Sequence, residues 1–272
     1  ASAVDLPPRL LITCEHVSND VPPELRSLFR GNGDLLRSHR GWDIGAKEIA
    51  ERMAAELNAP LMLGRWTRLV ADLNRSPTNR AAFSEITREL NADDRLALLE
   101  KYHAPYRRAV EKLVDTLLGA NQRVIHISVH TFTPVLDGKT RRVDVGLLFD
   151  PARESEAALA RRWKRGIEKS REPAPLTEPA PDAIGRSGIQ HPPALRIRMN
   201  QPYRGVSDGL TTHLRTRFPD DRYAGFELEV NQRLFEPVAR RRPTALQTGW
   251  KPLLSVIARA LQTTLSAEPK PS

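Results

Sequence analysis

Short apolar runs alternate with amphipathic helical stretches along this chain, and several of the runs empty into ionisable residues. Arg9–Thr13 (RLLIT) reads as a buried strand ending at Cys14-Glu15-His16. Gly45–Leu57 reads as a helix because Ala46, Ile49, Ala50, Met53 and Leu57 share one face; Asp43 stands just before it. Ala59–Leu63 and Arg68–Leu73 (RLVADL) read as strands, the second running into Asn74-Arg75. Asp93–Leu118 is a helical stretch with Tyr106, Val110, Leu113, Val114 and Leu117 on one side, and Pro105 suits the start of its main part. Arg123–His130 (RVIHISVH) is the clearest strand: Ile125, Ile127 and Val129 face one way, His126, Ser128 and His130 the other. Strands at Val143–Phe149, Leu195–Met199 and Gly225–Val230 follow, with helices at Arg153–Ser170, near Asp208–Phe218, and at Leu246–Ser266. This alternation predicts an α/β fold, a three-layer α/β/α sandwich around a mostly parallel or mixed central sheet.

The 272 residues are expected to form a single domain, 1–272. Pro173, Pro175, Pro179, Pro181, Pro192 and Pro193 exclude regular helix and central strand from 172–193, which reads as a surface excursion. The tail 267–272 is expected to fray. No run of 18 apolar residues suggests a membrane span, and the N-terminus lacks the basic-then-apolar pattern of a secretory signal. Cys14 is the only cysteine, so neither an intrachain disulfide nor a thiolate zinc cluster can form, and a cytoplasmic location is expected. The net charge is +9, but acidic residues are interleaved and the densest basic run, Arg240-Arg241-Arg242, has no aromatic interleaving. No nucleic-acid partner is expected; the basic surface fits small anionic substrates better. Nothing in the sequence sets an oligomeric state.

In open α/β sheets ligands bind at the carboxyl ends of strands. Polar residues collect at four such ends: Glu15-His16, Asp72-Asn74-Arg75, His130, and Glu227/Glu229. His16 and His130 are either strand-end hydrogen-bonding residues or a pair of metal ligands, for which a carboxylate would supply a third donor. Asp43 is such a carboxylate, or else one that faces the dipole at a helix start. Glu227 and Glu229 share a strand face, so they are either a solvated edge or the source of a general base. Asn74-Arg75 is either a capping turn or a carboxylate clamp.

The ordered set CEHVSNDVP (14–22), HRGWDIGA (39–46), RLVADLNR (68–75), SVH (128–130), NQPYRG (200–205) and ELEVNQ (227–232) resembles the N-formylglutamate amidohydrolase family. The resemblance covers about Leu10 to Gln232 and is more specific as a set than any one element. It implies a zinc amidohydrolase with a carboxypeptidase-like, phosphorylase/hydrolase-like fold that converts N-formyl-L-glutamate to formate and glutamate, late in one route of histidine breakdown. By the resemblance His16 and His130 would be Zn²⁺ ligands, Asp43 the third, with Glu15 in reserve. A glutamate at position three after His16, as carboxypeptidases have, is absent: Asn19 stands there. Glu229 would be the general base; Asn74 and Arg75, with Arg68 as a further cation, would hold the substrate carboxylate. The same residues would serve an exopeptidase or an amidase for another N-acyl amino acid. A non-enzymatic anion-binding protein would share only the basic surface.

Overall fold

The computed structural model describes residues 8–119, 122–170, 195–234 and 251–266. The proline-rich excursion, the basic run, the start of the last expected helix and the tail lie outside them. In chain order the main elements are β1 (Arg9–Cys14), α1 (Gly33–Arg37), α2 (Ala46–Leu57), β2 (Leu61–Leu63), α3 (Ala92–Leu98), α4 (Ala104–Leu118) and β3 (Val124–Phe132). The small hairpin β4 (Val135–Leu136) and β5 (Lys139–Thr140) follows, then β6 (Val145–Leu148), α5 (Glu154–Lys169), β7 (Ile197–Met199), α6 (Leu210–Arg217), β8 (Tyr223–Asn231) and α7 (Lys251–Ser266).

The central sheet has the order β2-β1-β3-β8-β6-β7. The first four strands run parallel; β6 pairs antiparallel with β8, and β7 runs parallel to β6. The sheet is therefore mixed and covered on both faces, the sandwich expected from the alternation. One face buries Ile12, Ile127 and Phe226 against Ile49 and Met53 of α2, Trp163 of α5 and Ile257 of α7. Trp163 meets Phe226 edge-on, with ring centroids 6.1 Å apart, and its indole N–H donates to the Ile257 carbonyl at 2.9 Å; that bond satisfies the one polar group of a large apolar side chain. The other face buries Leu11, Val124 and Tyr223 against Val110 and Val114 of α4 and Leu210 and Leu214 of α6.

Strand alternation places Thr13, His126, Ser128, His130, Glu227 and Glu229 on the α4/α6 side. Polar groups inside a covered sheet need partners. His126, fully buried, meets Thr13 Oγ1 at 2.8 Å and the Tyr223 hydroxyl at 2.7 Å. Burial pushes its pKa down to about 4, so it stays neutral.

Two elements differ from the sequence expectation. Arg68–Leu73 is a series of turns, not a strand. Its backbone bonds go to loops and side chains: Leu69 O accepts from Ser84 Oγ at 2.7 Å, and Asp72 N donates to Ala82 O at 2.8 Å. Leu69 and Val70 are buried with Phe29 and Leu98 in a separate cluster, so the run is apolar without joining the sheet. The expected break before Pro105 is a five-residue π-turn, Leu99–His103, joining α3 to α4; such widened turns re-aim the side chains they carry. Here His103 Nε2–H donates to the Arg75 carbonyl at 2.8 Å, and Arg107 Nη1 donates to Leu73 O at 3.2 Å and Arg75 O at 3.3 Å. Helix α4 thereby fixes the loop that carries Asn74 and Arg75.

Candidate active site

The carboxyl ends of β1, β3 and β8 lie side by side, and each delivers one ionisable group. His16 follows β1 with Glu15 between them. His130 sits on β3 with Glu229 as its register partner on β8. Glu229 is also paired with Gly146 of β6. A Cβ at Gly146 would fall 2.2 Å from Gln201 O and 3.2 Å from the Glu229 Cβ, so glycine there lets the Gln201 backbone approach β6 beside Glu229. Asp43 is brought in by the turn before α2. Its N–H donates to His16 O at 2.9 Å, and Gly45, at φ 83°, enters the helix in a left-handed conformation that favours glycine. Gly45, not Asp43, occupies the cap position, which leaves the Asp43 carboxylate facing the two histidines.

One donor atom from each of His16, Asp43 and His130 lies within 4.8 Å of the others, and all three residues are buried. Asp43 Oδ2 is 2.9 Å from His130 Nδ1 and 3.4 Å from His16 Nδ1. The far nitrogens are also held. His16 Nε2 is 2.7 Å from Asp72 Oδ1, and His130 Nε2 is 3.2 Å from Glu15 Oε2. Were a metal to take the Nδ1 side, each Nε2–H would donate to its carboxylate, which is how metal-binding imidazoles are normally oriented. The cluster could therefore bind a metal ion: its two imidazoles and one carboxylate form a donor set that suits a divalent transition metal.

The electrostatics agree. Burial works against the charges of Asp43, Asp72 and Glu15, yet all three are held well below the usual carboxylate range. The His16 and His130 rings do this for Asp43; Arg68 and His16 do it for Asp72; His130 and Ser128 do it for Glu15. Glu229 is different. Burial, with Asp43 and Glu227 adding to it and His130 and Arg141 opposing, pushes it up to about 8. It is 5% exposed, and its Oε2 is buried without a hydrogen-bond partner among the described residues. A buried carboxylate oxygen with an open lone pair is costly unless a ligand engages it. Glu227, two residues earlier on the same face, is already engaged, since its Oε1 accepts from Asn74 Nδ2 at 3.2 Å.

His16, Asp43, His130, Glu227 and Glu229 line a cavity of about 190 Å³ together with Arg68, Asn74, Arg75, Tyr203, Arg204 and Asp208. The structure thus gathers His16, His130, Asp43, Glu229, Asn74, Arg75 and Arg68 into one place, but gives them unequal freedom. Arg68 donates to Asp72 Oδ2 through Nη2 at 2.6 Å and Nε at 3.0 Å, with Asp43 Oδ1 at 3.4 Å, so it serves the carboxylates around His16. Asn74 spends its amide on Glu227 and on Leu210 N, which donates to its Oδ1 at 2.7 Å. Arg75 Nη1 donates to the carbonyls of Asn74 at 2.7 Å and Asp208 at 3.2 Å, which orients a guanidinium that makes no contact ion pair among the described residues. Glu15 lies behind His130 and also accepts from the Tyr106 hydroxyl at 2.9 Å.

Asp72 is the member that the sequence marked as a polar strand-end residue but to which it gave no role. It was visible two residues before Asn74, but only the turn at 68–73 shows that it points at His16. Asp72→Asn should weaken divalent metal affinity about 10- to 100-fold, as loss of an outer partner usually does. Competition against a chromophoric chelator measures this, and unchanged affinity would remove the supporting role.

The sequence pattern described as N-formylglutamate amidohydrolase matches residues 8–236 of this chain. Among solved structures, a gene product from Agrobacterium tumefaciens is similar at a TM-score of 0.72 and 25% identity, covering 96% of this chain and 91% of that one. An N-formylglutamate amidohydrolase from Ralstonia eutropha shares the fold at a TM-score of 0.63 and 14% identity, with 96% of each chain covered. No curated protein sequence matches this chain.

Proposed function

The chain belongs to the N-formylglutamate amidohydrolase family, and on that premise we propose that it hydrolyses the amide bond of a small N-acyl amino acid, with N-formyl-L-glutamate the leading substrate and zinc the metal. The observation that carries this reading is the buried Glu229 Oε2, without a partner among the described residues, lining the same small cavity as the His16–Asp43–His130 cluster. Bound at that cluster, a zinc ion would polarise the amide carbonyl and lower the pKa of water.

The chain's own residues account for the other tasks. Glu229 takes a proton from the attacking water and passes it to the amide nitrogen as the C–N bond breaks, giving the acyl acid and the free amine. Burial beside Asp43 and Glu227 raises the affinity of Glu229 for a proton, which suits a group that takes one up and then returns it. Arg75 pairs with the α-carboxylate through the part of its guanidinium not used by the two carbonyls. His103 and Arg107 hold the loop beneath Arg75, so the pairing starts from a fixed position. A cavity of about 190 Å³ is smaller than the roughly 300–1,000 Å³ of drug-sized sites, which favours a short acyl group on one amino acid over a peptide.

Activity against a panel of N-acyl amino acids and dipeptides, with metal content measured on the same sample, tests the reading. Hydrolysis of N-formyl or other short N-acyl amino acids is the expected result. Cleavage of dipeptides alone would replace it with an exopeptidase, and a metal-free protein that binds anions without turnover would end it. Within this scheme, Arg75→Lys should raise KM for carboxylate-bearing substrates about tenfold, because an ammonium cannot reproduce a two-pronged contact. An uncharged amide analogue of the same acyl group should be little affected. Equal losses on both would return Arg75 to a structural role.

A further inference from the structure

Among the described residues three arginines line the cavity, and their partners separate them. Arg68 is committed to Asp72 and Asp43. Arg75 is aimed by two backbone carbonyls. Arg204 also lines the cavity, is exposed, and its side chain has no hydrogen-bond or ion-pair partner among the described residues.

The backbone around Arg204 is pinned, however. Asn200 Oδ1 accepts from Phe149 N and from Gly205 N, each at 3.0 Å. Gly205 O accepts from Arg215 Nη1 at 2.6 Å. Gly205 also lies so close to the end of β6 that a Cβ would fall 2.1 Å from Phe149 N. On the other side, the Tyr203 hydroxyl accepts from Arg141 Nη1 at 2.6 Å. Arg141 is itself held over the Phe132 ring at 4.8 Å and donates to Thr133 O at 2.7 Å. Both neighbours of Arg204 are therefore tied down while the guanidinium between them is left unused. A cation carried on a fixed backbone, beside a cavity that holds Asp43, Glu227 and Glu229, offsets the repulsion those carboxylates would exert on an anionic ligand.

We propose that Arg204 binds the second carboxylate of a dicarboxylic substrate: the side-chain carboxylate of an N-acyl amino acid whose α-carboxylate Arg75 takes. Arg204 is then a specificity determinant that selects acidic over neutral side chains. The inference rests on the N-acyl amino acid reading for the reaction, but the recognition of two carboxylates can be measured without it.

The experiment compares wild type and Arg204→Gln on N-formyl-L-glutamate and N-formyl-L-glutamine. A charge-assisted contact to one carboxylate predicts a wild-type preference for the acidic substrate of about tenfold or more in kcat/KM. The substitution should bring that ratio towards one through KM of the acidic substrate. A wild-type ratio near one, or a preference that survives the substitution, overturns the proposal. If the wild type turns over neither compound, the hydrolytic reading fails by itself and binding decides. Calorimetry with glutarate and its monoamide, glutaramate, should then show tighter glutarate binding that Arg204→Gln removes. Equal affinities in the wild type, absence of glutarate binding, or a difference that persists in the variant overturns the proposal. Circular dichroism of the variant checks that it is folded, which an exposed side chain makes the expected result.

Discussion

Replacing His16 by alanine is expected to abolish both stoichiometric metal binding and amide hydrolysis while leaving the protein folded. His16 contributes one of the three donors that lie within 4.8 Å of one another, and two remaining protein ligands seldom hold a divalent ion at a hydrolytic site. The fold should tolerate the change, because Asp72 keeps its ion pair with Arg68 at 2.6 Å and its bond from Asn74 N at 2.9 Å. Asp43 likewise keeps His130 at 2.9 Å. The remaining cost is a cavity and a lost hydrogen bond, about 1–3 kcal/mol. Elemental analysis after dialysis reads the metal, and a thermal melt reads the fold. Full metal occupancy in this variant would sink the His–Asp–His assignment, whatever happens to the rate. A chelator should act on the wild type in the same direction, and zinc should restore the activity.

Glu229→Gln is expected to lower kcat by about 10²–10⁴, the usual range for a positioned general acid–base, with metal content unchanged. Gln keeps the shape of the side chain but removes the ability to accept and return a proton. Glu227 is the natural control. It lies on the same strand face, but its Oε1 is already taken by Asn74 Nδ2 and lies 3.5 Å from the Thr211 hydroxyl. Glu227→Gln should therefore act indirectly, through the Asn74 contact, and by a smaller factor. If the two effects are reversed, the general base is Glu227.

The comparison of sequence with structure divides along a physical line. Features set by local period were legible: the alternation in RVIHISVH that puts His126, Ser128 and His130 on one face, the shared face of Glu227 and Glu229, and the helical stripe of Ile49, Ala50 and Met53. The architecture followed from the order of these elements. What local pattern could not supply was the choice of partner between distant segments. RLVADL has the composition of a strand, yet Ser84 and Ala82 take its backbone bonds, and no property of the hexapeptide announces them. For the same reason the pairing of Asp72 with His16, Glu15 with His130, and Arg68 with two carboxylates was out of reach. Each of these residues was visible as polar and near a strand end. Its direction depended on a turn whose geometry is fixed elsewhere in the fold.

The strand order has a consequence for how the molecule is made. β3 lies in the middle of the sheet, but β8, which covers its second edge, ends at Asn231 and is the last strand in chain order among the described residues. During synthesis, β1 can meet β3 once residue 132 is available, through pairs such as Thr13 and His126, 113 positions apart. The other edge of β3 then waits, with Ile125, Ile127 and Val129 on one side, for nearly a hundred further residues. An unpaired edge of that kind invites pairing with another chain, and parallel, long-range sheets close slowly. The emerging polypeptide is therefore most exposed to aggregation between completion of β3 and arrival of β8, the interval in which a chaperone would matter most.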